Sequence, residues 1–212
     1  VKASAVIHHG VLNSFKKCGK VRDIGSRERI KILWVGRLHP YKLPDVFIKA
    51  IALLNKLGYK NRILSIMKIG KYNCSQTKKY IHSLIKEYNL TNLILIDRFL
   101  PQKNVIDLYK YADLYVHTSI YEAFGLSVVE AMATGLPVIV PKMGGSYEVA
   151  GNRALAYKPN DHYELAELIE QIINDTELYI KYSRYSLNRA NQFNWKKTVA
   201  KYVDIYMRLI NY

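Results

Sequence analysis

The sequence predicts an α/β protein, a parallel sheet sandwiched between helices, and three observations carry that prediction. Apolar runs of strand length alternate with amphipathic stretches, the hydrophobic period switching between two and 3.6 each time. Strands and helices that alternate in this way form parallel pairs joined by right-handed crossovers. The 212 residues suffice for one such domain with a helical appendage and are too few for two large domains.

The elements follow in order. Lys31 to Gly36 is the first strong strand, and a proline-started helix runs from about Pro44 to Leu57. Arg62 to Ile69 and a helix from about Ser75 to Tyr88 make the second unit; Leu93 to Asp97 and a helix near Gln102 to Tyr111 make the third. A strand from Leu114 to Thr118 precedes a helix near Leu126 to Ala133. Pro137-Val138-Ile139-Val140-Pro141 has no polar alternation, as expected of a strand covered on both faces. Strands stop after Ala154-Leu155-Ala156-Tyr157, and Asp161 to Tyr212 reads as two or three helices with Asp161 and Asn194 as N-caps. The expected organisation is a lead-in at residues 1–29, a sheet domain at 30–160 and C-terminal helices at 161–212. No repeat or low-complexity linker interrupts it.

Composition narrows the function classes. Half the residues are hydrophobic and 23% are charged, the balance of a globular chain rather than a disordered or fibrous one. No apolar run reaches the roughly 18 residues that cross a bilayer, and the start lacks the build of a signal peptide. Without an initiator methionine the sequence reads as a fragment. Cys18 and Cys74 stand apart from any Cys or His at ligand spacing, so neither a zinc site nor a disulfide framework is expected, and a reducing cytoplasm is. The net charge of +15 favours an anionic partner: phosphates, acidic lipid headgroups or nucleic acid. A ribonucleoprotein motif, a zinc knuckle and a helix-turn-helix are all missing, so nucleic acid is not expected. Peripheral association with the cytoplasmic face of an anionic membrane is compatible with the charge.

In an open parallel sheet the ligand sits beyond the carboxyl ends of the strands, where strand order reverses. The loops after Val35, Ile69, Ile96, Val116 and Val140 are therefore the places to look. Gly36-Arg37-Leu38-His39-Pro40-Tyr41-Lys42 offers two cations five residues apart. An Arg fork with a Lys point charge suits a diphosphate, although two solvated surface cations would look the same. Residues 119–138 place Glu122 in a loop and Glu130 inside the following helix. Gly125 lets the backbone approach a ligand, and the helix amides from about Leu126 onward form an anion site. Glu130 is placed to accept hydrogen bonds from ribose hydroxyls. Paired glutamates also suit general acid–base work; the cations opposite favour sugar and ribose binding.

The stretch Ser119-Ile120-Tyr121-Glu122-Ala123-Phe124-Gly125-Leu126-Ser127-Val128-Val129-Glu130 resembles the Glu-x7-Glu signature of the family 4 retaining glycosyltransferases of GT-B architecture. Tyr111-Ala112-Asp113-Leu114-Tyr115-Val116 before it and Gly144-Gly145-Ser146-Tyr147-Glu148-Val149 after it continue that likeness, which extends from about Val6 to Phe193-Asn194-Trp195-Lys196-Lys197. The resemblance implies a Rossmann-like donor domain, one half of a two-domain enzyme, preceded by an N-terminal domain that binds a glycan, lipid or polyprenyl acceptor. Alone, it would bind a UDP- or GDP-hexose without transferring the sugar. It implies Arg37 and Lys42 at the diphosphate beside Gly36, Glu122 at the sugar hydroxyls, Phe124, Gly125 and Leu126 presenting backbone N–H groups, and Glu130 at the ribose, with Ser119, Arg98 and Phe99 also among the donor-binding residues. Glu122, Arg37 and Lys42 would be the catalytic set. No cofactor or metal is implied, and no Asp-x-Asp clamp is present. A binding module without turnover is the alternative.

Some positions depart from the family pattern. Thr118 stands where proline is common, Ala123 where glycine is, and Gly70-Lys71-Tyr72 lacks a second glycine. Arg98, followed by Phe99, replaces a glycine near the expected nucleobase pocket and leaves the base undetermined. His8-His9-Gly10 resembles the family's hinge strand rather than a metal site, and His117, at a strand end, either lines the site or is a satisfied core residue, the latter being expected.

Overall fold

The computed structural model describes residues 5–25, 27–70 and 74–210. Lys71 and Tyr72, where a glycine was noted to be missing, lie outside them. Six strands form one sheet: β1 (Ile30–Gly36), β2 (Ile63–Ile69), β3 (Leu93–Ile96), β4 (Leu114–Val116), β5 (Val138–Pro141) and β6 (Leu155–Tyr157). Their order is β3-β2-β1-β4-β5-β6, and every pairing is parallel. The chain winds outward from β1 to β3, returns to lay β4 beside β1, and winds outward again. The expected parallel sheet with helices on both faces is therefore present, and its order reverses between β1 and β4.

Period-two alternation assigns the two cores. Ile32 and Trp34 of β1 face one side with Met67, Leu114, Val116 and Ile139, covered by α2 (Pro44–Lys56), α3 (Ser75–Glu87) and α7 (His162–Asn174). Leu33 faces the other side with Ile66, Tyr115, Val138 and Val140, covered by α4 (Gln102–Tyr111), α5 (Leu126–Ala133) and α8 (Thr176–Ala190). Strands buried on both faces explain why 137–141 reads as an unbroken apolar run.

Three helices, α7, α8 and α9 (Trp195–Ile210), follow the sheet. Asp161 caps α7 by accepting from the amides of Tyr163 and Glu164, and the Asn194 side chain accepts from the amide of Lys196. No described helix is long and apolar enough to cross a membrane. Much of α9 is exposed, including Val203, Tyr206, Met207 and Ile210.

Two short helices were not anticipated, α1 (Asn13–Lys16) and α6 (Gly144–Ala150). The strand expected at His8-His9-Gly10 is not formed: residues 5–12 are irregular. This segment is held by side chains instead. His8 bonds Glu148 at 2.7 Å, its carbonyl accepts from Thr198 Oγ1 at 2.8 Å, and both histidine rings pack near Phe124.

Buried Arg22 fastens the fold where α4 and α5 end. Its guanidinium donates to the carbonyls of Tyr109, Lys110, Ala112 and Thr134 at 2.6–3.0 Å. Carbonyls at helix C-termini lack intrahelical partners, and a cation there also meets the negative end of the helix dipole.

Candidate functional site

The loops after β1 and β4 flank the strand-order reversal and are tied together. Thr118 Oγ1 donates to the carbonyl of Lys42 at 2.6 Å and accepts from the indole of Trp34 at 2.9 Å. The amide of Ile120 donates to the carbonyl of Tyr41 at 3.1 Å. Between Lys42 and Pro44 the chain turns through Leu43 at φ 44°, a left-handed conformation costly for a leucine. That turn ends the cationic loop and starts α2 at once.

The second loop needs its glycines. Gly125 has φ 96° and lies against Ser146 of α6. A Cβ on Gly145 would come within 2.4 Å of the Ala123 carbonyl, and the Gly145 amide donates to the carbonyl of Glu122 at 2.8 Å. The start of α6 thus backs the loop carrying Glu122, and only a residue without a side chain lets it come so close.

These loops, with those after β2 and β3, enclose a cavity of about 670 Å³, the size that holds a small organic ligand. Of the residues singled out from sequence, Gly36, Arg37, Lys42, Arg98, Phe99, Glu122 and Leu126 line it together. Lys68, Asp97, His117 and Ser127 line it too and were not assigned to the site in advance.

Polar groups concentrate at one end. Lys42 Nζ bonds Glu122 Oε2 at 2.5 Å, both side chains largely buried. Arg37 is exposed and donates to the hydroxyl of Tyr41 at 2.6 Å. The N-terminus of α5 follows Gly125, and its first amides lack intrahelical acceptors. Cations and open amides therefore converge where an anion can sit.

His117 corrects the expectation of a satisfied core histidine. It is buried, yet it lines the cavity and its Nε2 has no hydrogen-bond partner. Nε2 lies 3.7 Å from Glu122 Oε2. Burial, with nearby Lys42 adding repulsion, lowers its pKa to about 3, so the ring is neutral at neutral pH.

Other expected residues stand apart from the cavity wall. Ser119 is buried, and its hydroxyl donates to the carbonyl of Tyr121 at 3.1 Å. Phe124 turns its ring toward Phe193 and the His8–His9 segment, leaving only its backbone for the site. Gly125 contributes conformation rather than surface. Glu130 points into the protein and accepts from the hydroxyl of Tyr109 at 3.1 Å. Burial raises its pKa to about 7, the Tyr109 bond opposing the shift. Among the described residues no group of three His, Cys, Asp or Glu is arranged to hold a metal ion.

Comparison with known proteins places this geometry. The family model described as "Glycosyl transferases group 1" matches residues 21–189. The chain is 29% identical over 191 residues to a D-inositol 3-phosphate glycosyltransferase of Corynebacterium aurimucosum, covering 87% of this chain and 45% of that protein. It thus spans about 45% of the length of the curated relative. Among solved structures, a glycosyltransferase from Rickettsia africae superposes with a TM-score of 0.81 at 22% identity, covering 97% of this chain and 57% of that one. HepE of Anabaena, solved in complex with UDP and glucose, superposes with a TM-score of 0.73 at 23% identity, covering 87% of this chain and 50% of that one. At these identities both show the fold, the α/β sheet shared with GT-B glycosyltransferases.

Proposed function

The chain belongs to the glycosyl transferases group 1 family, and from that premise we propose that its cavity binds the donor of a retaining glycosyl transfer, a UDP- or GDP-hexose. The observation that carries this reading is the convergence of Arg37, the Lys42–Glu122 pair and the α5 N-terminus on one cavity. Cations and open amides there suit a diphosphate, and a carboxylate beside them suits sugar hydroxyls. HepE, a structural relative, is solved with UDP and glucose.

The residues then act by position and charge. Arg37, Lys42 and the α5 amides hold the diphosphate, while Glu122 accepts from hydroxyls of the sugar. As the acceptor hydroxyl bonds to the anomeric carbon, the bond from that carbon to the β-phosphate oxygen breaks on the same face. The hydroxyl proton passes to the departing phosphate. The two cations stabilise the charge that grows on the leaving group, so neither a protein nucleophile nor a metal is required. Glu130 serves the ribose by leaving the Tyr109 hydroxyl and turning toward the cavity, and the acceptor is a glycan, a lipid or a polyprenyl carrier.

Calorimetry with UDP and UDP-glucose tests the reading, with GDP and GDP-mannose as the alternative pair. Binding should persist in excess chelator; strict dependence on a divalent cation would remove the proposed role of Arg37 and Lys42. Glu122→Gln should weaken the nucleotide-sugar about tenfold or more, the loss of a charged hydrogen bond, without weakening the nucleoside diphosphate. Equal losses for both ligands would refute the sugar role.

A further inference from the structure

His117 stands directly after β4, and the chemistry above leaves its ring without a task. Its main chain is fixed from both sides: the amide donates to the carbonyl of Ile139 at 2.9 Å, and the carbonyl accepts from the hydroxyl of Tyr157 at 3.2 Å. The ring stacks beside that of Tyr115, their centroids 6.4 Å apart. It is 4% exposed, yet it lines the cavity, and among the described residues its Nε2 has no hydrogen-bond partner. A buried polar atom in that state costs free energy unless a ligand supplies the partner.

Its neighbours define what that partner is. Glu122 Oε2 lies 3.7 Å from Nε2, beyond direct hydrogen-bond reach. The ring is neutral, its charged form opposed by burial and then by Lys42. A neutral imidazole carries one N–H, and a carboxylate next to Nε2 favours the tautomer with the proton on that atom. The two side chains thus present one donor and one acceptor to the same point of the cavity. A hydroxyl matches both, because it accepts from the ring and donates to the carboxylate. Its oxygen can stand about 2.8 Å from each of two atoms so spaced. A phosphate oxygen matches the ring alone and would bring its own negative charge against that of Glu122.

We propose that His117 binds the transferred sugar, donating from Nε2 to a hydroxyl that itself donates to Glu122, so that the two side chains together read one position of the sugar ring. A carboxylate alone takes any hydroxyl that reaches it. A donor set beside it on a clamped strand end restricts where the hydroxyl oxygen can stand, and therefore which hydroxyl it is. A site built to hydrogen-bond a substrate hydroxyl discriminates strongly against an analogue that lacks it. The inference rests on the donor-site reading above and adds a specificity-determining residue to its sugar end.

The test is calorimetry with the tighter-binding of UDP-glucose and GDP-mannose, with its nucleoside diphosphate, and with the forms of it that lack one sugar hydroxyl each. His117→Phe keeps a flat ring and removes the donor. It should weaken the nucleotide-sugar about fivefold, the loss of a neutral hydrogen bond, and leave the nucleoside diphosphate unchanged. His117→Gln, which carries an amide N–H near the place of Nε2, should recover most of that loss. On the wild type one deoxy form should bind at least tenfold more weakly than the parent, and that form alone should be indifferent to both His117→Phe and Glu122→Gln. Equal weakening of both parent ligands in His117→Phe overturns the proposal by placing the ring on the diphosphate. A loss spread evenly over the deoxy forms also overturns it, leaving His117 as a packing residue. Should the phenylalanine variant not fold, the wild type still decides: deoxy forms that all bind as well as the parent refute the shared hydroxyl. If neither UDP nor GDP binds the wild type, the donor-site reading itself fails.

Discussion

Glu130 sits near the midpoint of its titration at neutral pH, and that makes its role measurable. Its pKa is raised from 4.5 to about 7 by burial. A raised carboxyl pKa contributes stability that is fully present below about pH 4.5 and is lost as pH climbs through 7, because the charged form is the poorly solvated one. Ribose hydroxyls donating to the carboxylate would favour that charged form. UDP affinity should therefore fall as pH drops from 8 to 6, by more than in Glu130→Gln, the variant serving as the control for phosphate titration. Identical pH profiles would leave Glu130 as the structural partner of Tyr109. Arg22 is the contrasting case, a charge with a purely architectural place. Arg22→Met should cost about 2–4 kcal/mol in urea unfolding, since three buried carbonyls and one part-buried carbonyl lose this donor. A loss under 1 kcal/mol would show that water replaces it. Nothing in the sequence announces this residue, because its partners lie 87–112 positions away and are backbone atoms.

The joint between the β1–α2 and β4–α5 loops is the element on which site geometry depends. Thr118 stands where the family pattern commonly has proline, and its hydroxyl does what proline cannot, linking the Trp34 indole to the Lys42 carbonyl. Thr118→Val keeps the shape and removes both bonds. It should destabilise by about 1–3 kcal/mol and weaken nucleoside diphosphate binding, and Thr118→Ser should restore most of both. Normal binding by the valine variant would show that the loops hold Lys42 without this tether. The helices α2 to α5 were legible because long amphipathic periods bounded by Pro44, Ser75 and Gly125 leave little choice of register. The short α6 was not: seven residues opening with Gly144-Gly145 look like a turn, and only the close approach to Ala123 explains both glycines. Within the site, the loop cations and Glu122 could be read from sequence because they follow strand ends. The inward turn of Glu130 could not, since Tyr109 lies on another helix. His117 and Lys68 resemble core residues in a sequence, because a strand's final side chains belong to the core or the ligand according to where the strand stops.

At the scale of the whole molecule, the sheet is two three-stranded halves meeting at β1 and β4. The halves are held unequally. Seven residue pairs register β1 with β2, whereas two, Ile32 with Leu114 and Leu33 with Tyr115, register β1 with β4, as few as register β4 with β5. The cavity draws on both sides of this line, Arg37, Lys68 and Arg98 from one half and His117, Glu122 and Leu126 from the other. A bound nucleotide therefore bolts a seam. Segments that open locally do so with free energies well below that of global unfolding, and a ligand bridging them raises that opening cost. In hydrogen–deuterium exchange, saturating UDP should slow the amides of β4 and of the β1 carboxyl end together, although the ligand touches few of them. Slowing confined to residues of the cavity wall would mean that the seam is already closed without its ligand.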